Sequence, residues 1–214
     1  CLCLAAVMRR IRATWHWTVL GAGLLLSLAS YGRAATGNGL WGEYYNNVDF
    51  NNFALGRLDS TVNFDWGTTG SPDPSMDGNT FSAVWTGFVQ APCSANYTFR
   101  TNSDDGVRLY VNGNLVIDQW VDESATNHDS GAIALTGGVQ VPIRLEYYEN
   151  YGQAVSKLLW SHAWSAACGG ASGFAIIPQS ALYSTAVPTP IPTITPTSIP
   201  TICPLSDNFN DASL

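Results

Sequence analysis

The chain has 214 residues, nine basic against 16 acidic side chains for a formal charge of −7, and a hydrophobic content of 46%. That composition suits one medium folded domain with extensions and excludes a disordered or integral membrane protein. Only five basic residues follow position 35, whereas all 16 acidic ones do. With no basic stripe to follow a phosphate backbone, nucleic acid and anionic membrane surfaces are excluded as partners, and cations are the natural counterpart.

Met8-Arg9-Arg10-Ile11-Arg12 is a basic start, Val19 to Leu28 is an apolar run rich in Leu, and Ser30 to Ala35 supplies small residues for cleavage. This order predicts a secretory signal within residues 1–35, with Cys1 to Val7 upstream of its Met. The run is short for a bilayer anchor, which needs roughly 20 apolar residues, so no membrane insertion is expected after cleavage. The expected location is outside the cell or on its surface. Three cysteines then remain, Cys93, Cys168 and Cys203. An oxidising compartment predicts a Cys93–Cys168 disulfide, since both flank the strand region while Cys203 lies beyond a spacer; the alternative is two buried free thiols. No cysteine or histidine spacing suits zinc.

From Leu40 onward, short aromatic and β-branched runs alternate with turn residues, and no helical period is sustained. Leu40 to Tyr45 opens the series. Thr61 to Trp66 places Val62, Phe64 and Trp66 on one face, and a polar loop from Gly67 to Asn79 follows. Phe81 to Val89 is a longer strand, and Tyr97 to Thr101 leads into Asn102-Ser103-Asp104-Asp105-Gly106. Val107, Leu109 and Val111 alternate with Arg108 and Tyr110, and Asn112-Gly113 turns the chain into Leu115-Val116-Ile117, the signature of a hairpin. Gln119 to Ser130 reads as a polar surface loop, Ala132 to Leu135 and Val139 to Tyr148 as a hairpin around Gly137-Gly138, and Val155 to Trp160 as the last clear strand. The fold expected for residues 36–184 is an all-β antiparallel β-sandwich whose core takes most of the eight Trp. Residues 185–202 are expected to be a Thr/Pro-rich linker without packed structure, and residues 203–214 the start of a further domain.

Asp104-Asp105 is the feature this scaffold does not explain. Neighbouring side chains on a regular strand point to opposite faces, so two adjacent carboxylates grip one ion only where the backbone leaves strand geometry, which Gly106 permits. The plainer alternative is a turn in which both carboxylates accept backbone N–H bonds.

Gly39 to Tyr45, Trp85-Thr86-Gly87, Tyr97-Thr98-Phe99, Ser103 to Gly113 and Arg144 to Glu149, in this order, resemble the protective-antigen domain family, named after the anthrax toxin component. The resemblance covers roughly Gly37 to Tyr183. It implies a β-sandwich of the kind found in bacterial glycosidases, adhesins, toxins and yeast flocculins, serving as a carbohydrate-binding module for a glycan or polysaccharide. In lectin members two adjacent Asp residues joined by a cis peptide hold calcium with help from an Asn. Asp104 and Asp105 match that pair, and Asn150 is the candidate for the third ligand. Calcium takes about six to eight oxygen ligands, which leaves positions for sugar hydroxyls. Tyr151 and Trp120 are the candidates for stacking on the sugar ring. The segment His162 to Gly173, with Trp164 and Cys168, departs from the lectin pattern.

Catalysis needs a nucleophile with its base, or two carboxylates across a cleft. Glu146 and Glu149 are the best pair, but their odd spacing on one strand sends them to opposite faces. The chain is therefore expected not to be an enzyme. The remaining alternatives are a structural or adhesion spacer without a sugar site and an accessory domain of a glycoside hydrolase. A Thr-Pro spacer after an exported domain associates the chain with bacterial surface proteins.

Overall fold

The alternating apolar runs sort into two antiparallel sheets in a computed structural model, which describes residues 36–170 and 172–185. The expected leader, most of the Thr/Pro-rich linker and residues 203–214 lie outside the described residues. The strands are β1 (Leu40–Tyr45), β2 (Phe53–Asp59), β3 (Asn63–Gly67), β4 (Phe81–Gln90), β5 (Ala95–Asp104), β6 (Val107–Val111), β7 (Asn114–Gln119), β8 (Thr126–Asp129), β9 (Ile133–Leu135), β10 (Gln140–Glu149), β11 (Ala154–His162), β12 (Ala175–Ile176) and β13 (Leu182–Tyr183). One sheet runs β2-β1-β4-β10-β6-β7 with β13 on β4. The other runs β12-β11-β5-β8, with β3 on β11 and β9 on β5. Among the described residues no helix is long and apolar enough to cross a membrane.

The inward faces supply a core of Leu40, Tyr44, Phe81, Trp85, Phe99, Leu109, Tyr147 and Leu158, all essentially without solvent contact. Full burial of each such side chain contributes about 1.5–3 kcal/mol. Phe64 stacks on Trp66 at 4.8 Å, as their shared face predicts, and both pack against this core. A buried polar knot sits inside it. Asp59 accepts from the Tyr44 hydroxyl at 2.5 Å, from Arg57 Nε at 2.7 Å and from Trp85 Nε1 at 2.8 Å. Arg57 also donates to the Pro72 carbonyl at 2.7 Å, pinning the polar loop to β2.

The β6–β7 hairpin forms as expected, with Asn112 and Gly113 at φ 52° and 76°. That pair of positive values is what the Asn-Gly turn provides. Cys93 and Cys168 are joined, with their Cα atoms 5.4 Å apart, so the segment after β11 is tied to the start of β5.

Several expectations fail for identifiable reasons. Strand β2 was not foreseen, because Gly56 and Arg57 interrupt its apolar alternation. Thr126–Asp129, expected within a loop, is the edge strand β8, whose polar side chains suit an edge open to water. Residues 132–148 are not a hairpin: β9 pairs with β5 and β10 with β4 and β6, so Gly137-Gly138 carries the chain from one sheet to the other. Trp85 and Trp160 are buried and Trp66 packs on the core, but Trp41 and Trp164 are 42% and 70% exposed.

Candidate functional site

Two chain crossings between the sheets meet at one end of the sandwich. Asp105-Gly106 links β5 to β6, and residues 150–153 link β10 to β11. Both arrive together because Asp104 is in register with Val155, and Val107 with Tyr147. Gly106 is required there: a Cβ would overlap the Tyr148 ring, and its carbonyl accepts the Tyr148 N–H at 3.0 Å. The opposite end holds the domain termini, where Gly39 N–H donates to the Leu182 carbonyl and Ser184 N–H to Asn38 Oδ1, each at 3.0 Å.

The Asp104–Asp105 peptide is cis, and both side chains are buried. Asp104 Oδ2 accepts the Ala125 N–H at 3.1 Å. Asp105 accepts from Glu123 N–H at 2.9 Å and from Asn150 N–H at 2.8 Å. The capped turn therefore exists, and a third carboxylate joins it. Glu149, at the end of β10, is 0% exposed, and one carboxylate oxygen from each of Asp104, Asp105 and Glu149 lies within 4.8 Å of the other two. The Tyr147 hydroxyl donates to the Asp104 carbonyl at 2.5 Å and lies 3.3 Å from Glu149 Oε2. Glu149 Oε1 is buried without a hydrogen-bond partner.

Among the described residues no Lys, Arg or His forms an ion pair with any of the three. Burial, reinforced by the neighbouring acids, pushes the Glu149 carboxyl up to about 8. Burial and the Asp105 charge raise Asp104, and burial raises Asp105 against the opposing N–H bonds from Asn150 and Glu123. Three buried carboxylates with an unmatched oxygen are the donor set of a hard cation. Asp104, Asp105 and Glu149 could hold one.

Asn150 reaches this centre through its backbone N–H, while its side-chain amide donates to Asp122 at 2.9 Å. Asp122 also accepts from the Tyr148 hydroxyl at 2.7 Å, and these two bonds hold its carboxyl below the usual range. Tyr151 follows at 72% exposure, its ring open to solvent. Trp120 is half-buried, with the Arg108 guanidinium 4.5 Å from its ring centre and Tyr148 edge-on at 4.6 Å. A cleft of about 230 Å³ beside it is lined by Val48, Asp49, Trp120, Asp122, Tyr148 and Asn150.

Sequence reasoning missed Glu149 and Asp122 as parts of this site. The signal for Glu149 was present in its alternation with the core residue Tyr147, which turns it inward. Glu146 faces outward, 2.7 Å from Arg144, so the two glutamates do lie on opposite faces.

Residues 37–172 match the model of the PA14 domain. The chain belongs to the PA14 domain family. PA14 domains are binding or structural domains, and this one is not an enzyme. Over 158 residues the domain is 46% identical to the anti-sigma-I factor RsgI3 of Acetivibrio thermocellus, matching 74% of this chain and 23% of that protein. The solved structure of an anti-sigma factor domain-containing protein superposes with a TM-score of 0.64 at 43% identity, covering 73% of this chain and 51% of that one. The chain thus spans about a quarter of the curated relative. A PA14 sugar-binding domain from an RTX adhesin shares the fold at 18% identity and a TM-score of 0.55, covering 71% of this chain and 100% of that one.

Proposed function

We propose that this PA14 domain is an extracellular carbohydrate-binding module whose sugar site is organised by calcium at Asp104, Asp105 and Glu149. The observation that carries the reading is the buried, unpartnered Glu149 Oε1 beside two further buried carboxylates. Such a centre suits a cation, and all-oxygen donors favour calcium over softer metals. The Asn150 amide oxygen is the candidate further ligand. Calcium would present open positions to vicinal sugar hydroxyls, and the exposed Tyr151 ring would stack on the apolar face of the sugar. Trp120 serves as the wall of the adjoining cleft.

The site lies at the end of the sandwich away from the domain termini, which points it outward from any attached chain. That placement suits an adhesion or substrate-targeting domain of a larger secreted or cell-surface protein. The 46% identity to an anti-sigma factor supports one specific setting, the exported segment of an anti-sigma factor, over a glycoside hydrolase. Copurification of a sigma factor with the parent protein would test that setting.

The module itself is tested by calorimetric calcium titration followed by a glycan array, with and without chelator, on the wild type and Asp105→Asn. Calcium binding and calcium-dependent glycan binding, both lost in the variant, are expected. Glycan binding that survives chelation and the substitution overturns the site. Calcium binding without any glycan leaves a structural spacer.

A further inference from the structure

The outer face of the larger sheet carries a row of side chains running across the strands, remote from the acidic centre. Register places Leu58 beside Trp41, Trp41 beside Thr86, Thr86 beside Arg144, Arg144 beside Tyr110, and Tyr110 beside Leu115. Adjacent strands lie about 4.8 Å apart, so the row spans about 24 Å. Leu58, Trp41 and Leu115 are 46%, 42% and 45% exposed, unusual for large apolar groups in one line. Arg144 sits five residues before Glu149 on β10, roughly 17 Å along the strand.

Trp41 is held in a particular way. A Cβ on Gly56 would stand 2.7 Å from Trp41 Cζ2 and 3.3 Å from Cε2, so the indole lies down on the glycine of the neighbouring strand. Any side chain at position 56 would lift it. The ring is thus supported from below and open above, the arrangement of a stacking platform. Farther along the row, Tyr110, Pro142, Arg144 and Glu146 line a shallow hollow of about 290 Å³.

The face offers hydrogen-bonding groups whose charges nearly balance, two Arg against Glu146, Asp118 and Glu43. Arg144 pairs with Glu146 at 2.7 Å, and Arg108 with Asp118 at 2.9 Å. Thr86 and Tyr110 add hydroxyls. The row is one side chain wide, with Glu43 and Glu146 following in the next rank. A stable protein partner needs roughly 800 Å² of matched surface on each side, which so narrow an apolar line does not supply. An extended chain with apolar ring faces and hydroxyl edges matches both its shape and its near balance of charge.

We infer that this row is a second, metal-independent binding surface for a neutral, equatorially linked polysaccharide, with Trp41 as its stacking anchor. It stands apart from the calcium site: one is read in chelator, the other in calcium.

The test is electrophoresis of the chain through gels containing hydroxyethyl cellulose, xylan or galactomannan, all in EDTA. The wild type and Asp105→Asn should be retarded equally by at least one polymer, while Trp41→Ala raises the retardation constant at least tenfold and Trp41→Phe restores most of the binding. Should Trp41→Ala shift the unfolding midpoint, Arg144→Ala carries the same expected loss. Retardation of Trp41→Ala and Arg144→Ala within threefold of wild type, or no retardation of the wild type by any polymer, overturns the inference. So does a wild-type dimer in sedimentation that Trp41→Ala converts to monomer, which would make the occupant a second copy of the chain.

Discussion

The Asn150 side-chain amide donates to Asp122 at 2.9 Å while its backbone N–H donates to Asp105 at 2.8 Å. One residue therefore joins the buried carboxylates to an outer one, and Asp122 fixes which way the Asn150 amide faces. Groups that orient a metal ligand typically change affinity by about 10- to 100-fold when removed. Asp122→Ala should weaken calcium binding about tenfold by calorimetry, with chelated stability changed by no more than about 0.5 kcal/mol. Complete loss of calcium binding would make Asp122 a ligand itself.

The raised carboxyls predict an uncommon pH dependence. Glu149 moves from an ordinary 4.5 to about 8 on folding, and Asp104 and Asp105 move in the same direction. Between those limits the folded state binds more protons than the unfolded state, so stability falls as pH rises. In EDTA the domain should resist urea better at pH 5 than at pH 8. Calcium requires the deprotonated groups and should reverse that order. Glu149→Gln should flatten the profile in EDTA, and a profile unchanged by the substitution would remove Glu149 as its source.

Asp59 holds Tyr44, Arg57 and Trp85 from a largely buried position. Its replacement by Ala leaves a cation and two donors without their acceptor, at a cost of about 3 kcal/mol. Chemical denaturation should show that loss, while calcium affinity measured on the remaining folded protein stays within about twofold, since sites without shared partners act additively.

The Cys93–Cys168 bond closes a separation of 75 residues. By loop entropy its removal costs up to about 4.5 kcal/mol. Cys93→Ala/Cys168→Ala should lower the thermal midpoint, and a reducing agent should do the same to the wild type but not to the variant. Calcium binding by the folded variant should be retained, because the bond sits at the start of β5 and the carboxylates at its end.

Local conformations and the facing of side chains were legible in the residues alone. Alternation marked β3 and β6, aromatic and β-branched runs marked β1, β4 and β11, Asn112-Gly113 dictated the β6–β7 turn, and Asp104-Asp105 stood out because a regular strand cannot aim neighbouring carboxylates together. Which strands are neighbours came from the folded arrangement of the two sheets. Alternation says which side of a strand is buried and nothing about its partner, so β9 and β10 looked like a hairpin although they belong to different sheets. The same limit hid Glu149, whose buried oxygen lacks a partner only because two crossings between the sheets converge. It also hid the row from Leu58 to Leu115, whose residues come from six strands and meet through backbone pairing alone.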